Sequence, residues 1–314
     1  MFLRGGFTPK IDPDVRDNTA FIRIWHIAAS FWKSSSMKSV AYKAKPVVVS
    51  FSASDPTGGA GLQADLLTVA ALGCQPATVL TGVTAQDSLG VHWFEALSAK
   101  QTLSQAQVLL ADYTPAVFKA GALCSADNIR VLAQLARQYP QTPLVVDPVL
   151  ASGRGDALVH ADFIRCFNEY LLPQVAVLTP NLPEALRLAN TTDVAQAIDF
   201  FFARGVKAVL LTGTHDETTE NEVINRLFLA GQGEQRYICL RLQGHYHGSG
   251  CTLASALSAF IARGCDFADA AQRAVTYTFA ALQSATSPGR GQQIPDRLLG
   301  WSANLEEGSG STHE

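Results

Sequence analysis

Four short segments of the sequence carry residue types whose spacing suits chemistry on a small anionic molecule. Ser54-Asp55-Pro56-Thr57-Gly58-Gly59-Ala60-Gly61 places glycines just ahead of an apolar helical run. Glycine lets backbone approach a ligand closely, and the N–H groups that open a helix attract anions. Gly248-Ser249-Gly250-Cys251 leads into the small-residue run Thr252-Leu253-Ala254-Ser255-Ala256-Leu257. Successive N–H groups there form either a hollow suited to a phosphoryl group in flight or an ordinary glycine-rich turn before a packed helix. Thr179-Pro180-Asn181-Leu182-Pro183-Glu184 is stiffened by two prolines. Asn181 and Glu184 offer oxygen ligands three residues apart, suited to a hydrated divalent cation. The same pair has capping-box spacing, and the two roles are compatible. Asp147 in Val146-Asp147-Pro148-Val149 falls at the carboxyl end of an expected strand, where its charge needs a cation or donor nearby.

The elements needed to position these loops are legible as alternating patterns. Strands are expected at Pro46–Ser52, Ala77–Val83, Ala116–Ala120, Leu144–Asp147, Val175–Leu178, Ala208–Thr212 and Asn225–Leu229. Helices are expected at Gly61–Leu72, Gln101–Tyr113, Ser125–Gln138, Ala161–Leu172, Val194–Arg204, Cys251–Ala262 and Phe267–Gln283. Strand followed by helix, repeated, predicts an α/β fold with a mostly parallel sheet covered on both faces. Ligands in such sheets bind beyond the carboxyl ends of the strands.

Composition narrows the partners. With 314 residues, 47% of them apolar and 16% charged, the chain can bury a large core. A net charge of −3 without long runs of one sign leaves no footprint for nucleic acid or an anionic membrane, so a small-molecule substrate is expected. The six cysteines form neither a C-x-x-C pair nor a zinc-spaced cluster, which fits a reducing, cytoplasmic setting. Residues 1–45 lack sustained periodicity and are expected to be a disordered extension, with Met37 as an alternative start; residues 46–303 are the expected domain and 304–314 a flexible tail.

Gly59-Ala60-Gly61-Leu62-Gln63-Ala64 also matches the dinucleotide fingerprint G-x-G-x-x-A, with Asp87 as a candidate ribose-binding acid, so an NAD-dependent oxidoreductase is a rival reading. It leaves the second glycine-rich loop unexplained. The P-loop pattern G-x-x-x-x-G-K-[ST] is absent.

Taken in order, the segment from Ser54 to Asp65, Thr84-Ala85-Gln86, Asp147-Pro148-Val149, Thr179 to Ala185 and His247 to Leu253 resemble the motif series of hydroxymethylpyrimidine/phosphomethylpyrimidine kinases. The resemblance spans about residues 46 to 300. It implies a ribokinase-like, three-layer α/β/α sandwich that uses ATP and Mg²⁺ to phosphorylate 4-amino-5-hydroxymethyl-2-methylpyrimidine and then its monophosphate. It implies that Gln86 reads the aminopyrimidine edge, that Asp65 lines the substrate pocket near the hydroxymethyl group, and that Gly58 and Gly59 also face substrate. Thr179, Asn181, Thr212 and Gly213 are implied on the nucleotide side, and Asp147, Asn181 and Glu184 around the metal. Gly248, Ser249, Gly250 and Cys251 become the anion hole. Cys251 stands where many ribokinase-like enzymes carry a catalytic aspartate, and a helix N-terminus lowers a thiol pKa from about 8.5, making it a candidate general base. A homodimer is implied as well.

The chain departs from the family pattern in places. Leu211-Thr212-Gly213-Thr214-His215 replaces a lysine-containing segment, Asn225 stands where an acid is usual, Ala122 replaces a methionine, and Ser249 replaces a threonine. Lys119 or Arg154 is a candidate to supply the missing charge. Pyridoxal or pyridoxine is an alternative substrate, and a binding module that has lost catalysis is an alternative of another class.

Overall fold

Runs of β-branched residues such as Val47-Val48-Val49 favour extended backbone, and their period-2 alternation sends successive side chains to opposite faces of a sheet. The structure, a computed structural model, describes residues 44–150, 161–213 and 220–299. Expectations for the extension up to residue 43, Arg154, Thr214, His215 and the tail lie outside the described residues. Nine strands, β1 (Val47–Ser54), β2 (Gln75–Asp87), β3 (Gly90–Ala96), β4 (Pro115–Ala120), β5 (Leu144–Val146), β6 (Val177–Leu178), β7 (Ala208–Leu211), β8 (Glu222–Leu229) and β9 (Glu234–Leu240), form one sheet. Its order is β3-β2-β1-β4-β5-β6-β7-β8-β9. The stretch from β2 to β7 is parallel, while β3, β8 and β9 pair antiparallel at the two ends.

The alternation divides the core in two. Val49, Phe51, Phe118, Val146 and Leu178 pack on one face against helices α2 (Ala99–Asp112), α3 (Ala126–Gln138), α4 (Ala161–Cys166), α5 (Leu182–Ala189) and α6 (Val194–Phe202). Val48, Val117, Val145, Val177 and Leu210 pack on the other against α1 (Gly61–Ala71), α7 (Ser249–Ala262) and α8 (Phe267–Gln283). These are the three layers expected. Among the described residues no helix is long and apolar enough to cross a membrane.

Three differences from the sequence pattern have physical causes. β3 and β9 are edge strands with largely exposed side chains, so neither carries a buried alternation. Helix α5 is short and begins at the Asn181 cap. The long helix expected over 161–172 ends its α-helical part at Cys166 and continues through a π turn, Phe167–Leu171, and a 3₁₀ turn, Leu172–Gln174, that contains Pro173.

One polar tie crosses the second layer. Lys119 on β4 lies two residues after Val117 and so faces α1 and α7. Its Nζ donates to both oxygens of Asp65 on α1, at 2.8 and 3.0 Å, and Ser255 on α7 donates to Asp65 Oδ1 at 2.7 Å. Both charged side chains are wholly buried. Burial pushes the Lys119 ammonium down, but Asp65, with Cys251 and Asp147 beyond it, holds it above its ordinary value. Removing one partner leaves an uncompensated charge: Lys119→Met and Asp65→Asn are each expected to lose roughly 3–5 kcal/mol in denaturant unfolding. The double variant Lys119→Met/Asp65→Asn is expected to lose less than the two single variants combined.

Candidate active site

The two glycine-rich loops meet each other at the carboxyl end of the sheet. Gly248 is the N-cap of α7 at φ +74°, and a β-carbon there would collide with the Gly59 carbonyl oxygen. Only glycine fits that crossing. Neither α1 nor α7 has a side-chain N-cap bond, and the Gly61 N–H that opens α1 bonds the Cys251 sulfur. Arg297, only 2% exposed, fixes the crossing from behind. Its Nε donates to Thr252 Oγ1 at 2.9 Å, Nη1 to the Gly58 carbonyl at 3.2 Å, and Nη2 to the carbonyls of Gly59 and Gly248.

The first loop is shaped by Asp55, which is buried between β1 and α1. Its Oδ1 accepts from Thr57 N and Oγ1 at 2.9 and 2.8 Å, and its Oδ2 accepts from Ala60 N at 2.7 Å. His247 Nε2 is 2.7 Å from the same Oδ2 and 2.7 Å from the side-chain amide of Gln86. Burial opposes the charge on Asp55, but His247 and Thr57 hold its carboxyl below the usual range. Gln86, expected to read substrate, thus stands at the loop crossing.

Asp147 follows β5, and a β-carbon on Gly250 would lie 3.5 Å from its Oδ2, so α7 starts directly over this carboxylate. Burial raises Asp147 to about 6 against the pull of Lys119, and burial together with the charge of Asp147 raises Glu184 to about 8. A divalent cation beside these two carboxyls would relieve the mutual repulsion that resists their ionisation. Glu184 also closes the capping box, accepting from Asn181 N at 3.0 Å while Asn181 Oδ1 accepts from Glu184 N at 2.9 Å. Among the described residues no group of three acidic, histidine or cysteine side chains gathers around one point, so such an ion would keep waters or phosphate oxygens as ligands.

Thr179 is buried, its N and Oγ1 donating to the Val146 carbonyl at 2.9 and 3.3 Å. Thr212 N donates to the Pro180 carbonyl, and Thr212 pairs with Asn181 in an isolated bridge. Gly213 N donates to Asn225 Oδ1 at 3.3 Å. The ends of β6 and β7 therefore stand side by side, with Asn225 bracing the loop where an acid is usual.

Three expectations are corrected. Asp65 does not line a pocket: it is buried, with both oxygens committed to Lys119 and one also to Ser255. For the same reason Lys119 is not free to meet nucleotide phosphates. Cys251 opens α7 within reach of the charges of Lys119, Asp147 and Asp65. Burial pushes its thiol up to about 12, with Asp147 and Asp65 adding to the shift, and together they outweigh Lys119 and the Gly61 N–H that bonds the sulfur. The rival dinucleotide reading also loses its acid, since Asp87 caps the β2–β3 turn through Leu89 N and Gly90 N and pairs with His92. Two residues of the site had no role assigned from the sequence. His247 was visible beside Gly248, whereas nothing local signals Arg297.

The raised carboxyls have a sign that can be tested. A folded state that holds protons the unfolded chain releases loses stability as pH rises between the two pKa values. The cation-free protein is expected to lose thermal stability from about pH 4 to about pH 8 through Asp147 and Glu184, and Glu184→Gln should flatten the slope. Cys251 is expected to resist iodoacetamide at pH 7.5, scored by mass spectrometry, more strongly than an unperturbed thiol.

Comparison with known proteins places this geometry. The profile of the family described as phosphomethylpyrimidine kinase matches residues 55–296, from the aspartate of the first loop almost to Arg297. The thiamine biosynthesis bifunctional protein ThiED of Geobacter sulfurreducens is 35% identical over 258 residues, 80% of this chain and 52% of that protein, so this chain spans about half its length. The hydroxymethylpyrimidine/phosphomethylpyrimidine kinase of Rhizobium meliloti is 33% identical over 246 residues, covering 76% of this chain and 91% of that one. Pyridoxal kinase from Staphylococcus aureus, solved with pyridoxal, superposes with a TM-score of 0.74 at 25% identity, over 81% of this chain and 94% of that one. The same enzyme is also solved with AMP-PCP and pyridoxal together. With the fold, the paired glycine loops and a profile match over most of its length in agreement, the chain belongs to the phosphomethylpyrimidine kinase family.

Proposed function

We propose that this kinase moves the γ-phosphoryl group of ATP to the hydroxymethyl group of 4-amino-5-hydroxymethyl-2-methylpyrimidine, and then phosphorylates the monophosphate, as steps of thiamine biosynthesis. The observation that carries this reading is the start of α7, where Gly248 is held in a left-handed turn and the following N–H groups open over Asp147 without a side-chain cap. Such a start suits the oxygens of a phosphoryl group in transfer. The base is the smaller part of the problem, because phosphoryl transfer rests on alignment and charge neutralisation, which agrees with a Cys251 that stays a thiol. Asp147 and Glu184, with Asn181 beside them, would hold Mg²⁺. When bound, the ion neutralises phosphate charge and helps to align the groups. Gly58, Gly59 and Gln86 lie toward the substrate; Thr179, Asn181, Thr212 and Gly213 lie toward the nucleotide. The reading extends to a homodimer working in the cytosol, as the resemblance implies.

Pyridoxal is the second substrate, favoured by the likeness to the S. aureus enzyme. The deciding measurement is ADP release with Mg²⁺-ATP on the pyrimidine, its monophosphate and pyridoxal. Turnover on both pyrimidines is expected, with Glu184→Ala reducing it roughly 10- to 100-fold. Turnover on pyridoxal alone would overturn the substrate, and binding of the pyrimidine with no ADP release from any alcohol would make the chain a binding protein.

A further inference from the structure

The side-chain amide of Gln86 is flanked on both sides, and proton counting fixes which way round it sits. On one side, His247 Nε2 lies 2.7 Å from Asp55 Oδ2. That oxygen belongs to a carboxylate already accepting from three N–H and O–H groups, so the nitrogen must bring a proton to it. A protonated Nε2 cannot accept, so the Gln86 atom 2.7 Å away has to be the oxygen, which shares that one proton with Asp55 in a three-centre bond. On the other side, Thr84 Oγ1 lies 3.0 Å from the Ser54 carbonyl and 3.3 Å from the other Gln86 terminal atom. A carbonyl only accepts, so the Thr84 proton goes to Ser54, and Thr84 can only accept from Gln86. That atom has to be the nitrogen. As placed, the amide has its nitrogen toward His247 and its oxygen toward Thr84; both flanks independently require the reverse, an assignment that rests on partners because the two atoms are otherwise alike.

The consequence lies on the remaining edge of the amide. A primary amide has two oxygen lone pairs and two N–H groups. With one of each taken by the flanking residues, it presents one acceptor and one donor side by side, in fixed order. We infer that Asp55, His247 and Thr84 are positioning residues that lock the Gln86 amide, so that the pocket selects a ring carrying an exocyclic amino group next to a ring nitrogen. A ring with a carbonyl next to a ring N–H offers the reverse order and meets the locked amide donor to donor and acceptor to acceptor. A pyridine nitrogen without a neighbouring amino group satisfies only half of it. The inference rests on the proposed pyrimidine substrate and adds how the ring is chosen.

The test is calorimetric binding of 4-amino-5-hydroxymethyl-2-methylpyrimidine and its 4-oxo counterpart to the full chain, with ADP release measured in parallel. The unmodified protein is expected to bind the amino ring about 10- to 100-fold more tightly, the range expected when a buried polar group loses its partner. His247→Leu frees the amide to turn and should bring the two affinities within a few-fold, the loss on the amino ring falling more on KM than on kcat. Thr84→Val, which removes the lock from the other side and leaves Asp55 paired, should act the same way, and it keeps the proposal testable if His247→Leu does not fold. His247→Gln keeps a donor at that end and should retain part of the preference. Equal affinity of the unmodified protein for both rings, or full discrimination in both His247→Leu and Thr84→Val, overturns the lock. Ring selection with no ADP release would refute the kinase reading while supporting the lock; ADP release with no ring selection would do the opposite.

Discussion

A buried ammonium must find an anion, and this requirement organises the lower storey of the active site. Lys119 and Asp65 are both shut off from water, in a setting where either charge alone would cost several kcal/mol. Because the partners stand on β4, α1 and α7, neutralising them fixes the two helices whose first turns make the site. The pair carries no obvious role toward a ligand. It sets the height and direction of the helix starts, and the glycine loops above inherit that geometry. The same neutralisation takes Lys119 away from Asp147, which helps to explain why Asp147 and Glu184 are left in want of a cation.

Much of this was legible in the sequence, and for definable reasons. Parallel strands with two buried faces read clearly because every residue of β1, β4 and β7 carries packing information. The glycine loops read clearly because glycine at a crossing such as Gly248 has no substitute. What did not read was set by partners distant in the chain. Asp65 looks like a helix-surface acid until Lys119, 54 residues on, is placed beneath it. The thiol of Cys251 looks activated when only its helix is considered, and loses that character once burial and two aspartates are counted. The edge strands β3 and β9 were silent because a strand with one neighbour and an exposed face obeys no alternation.

The upper storey is built from carbonyls as much as from N–H groups. Arg297 gathers the carbonyl oxygens of Gly58, Gly59 and Gly248, so their dipoles point away from the space where α1 and α7 begin. It also brings a positive charge behind loops whose lysine counterpart is absent from Leu211-Thr212-Gly213. A guanidinium suits this task because its planar fork can serve several acceptors at once, as an ammonium cannot. At the same crossing, Asp55 and His247 brace Gln86 as Arg297 braces the glycines.

The sequence separation of that clamp has a consequence for how the protein is made. Arg297 lies 239 residues after Gly58 and 49 after Gly248. During synthesis, both loops leave the ribosome well before the side chain that joins them, and β1, α1 and α7 can assemble while the crossing is still open. Completion of the site is therefore vectorial. The crossing closes only after the two loops that it joins have been made, late in synthesis.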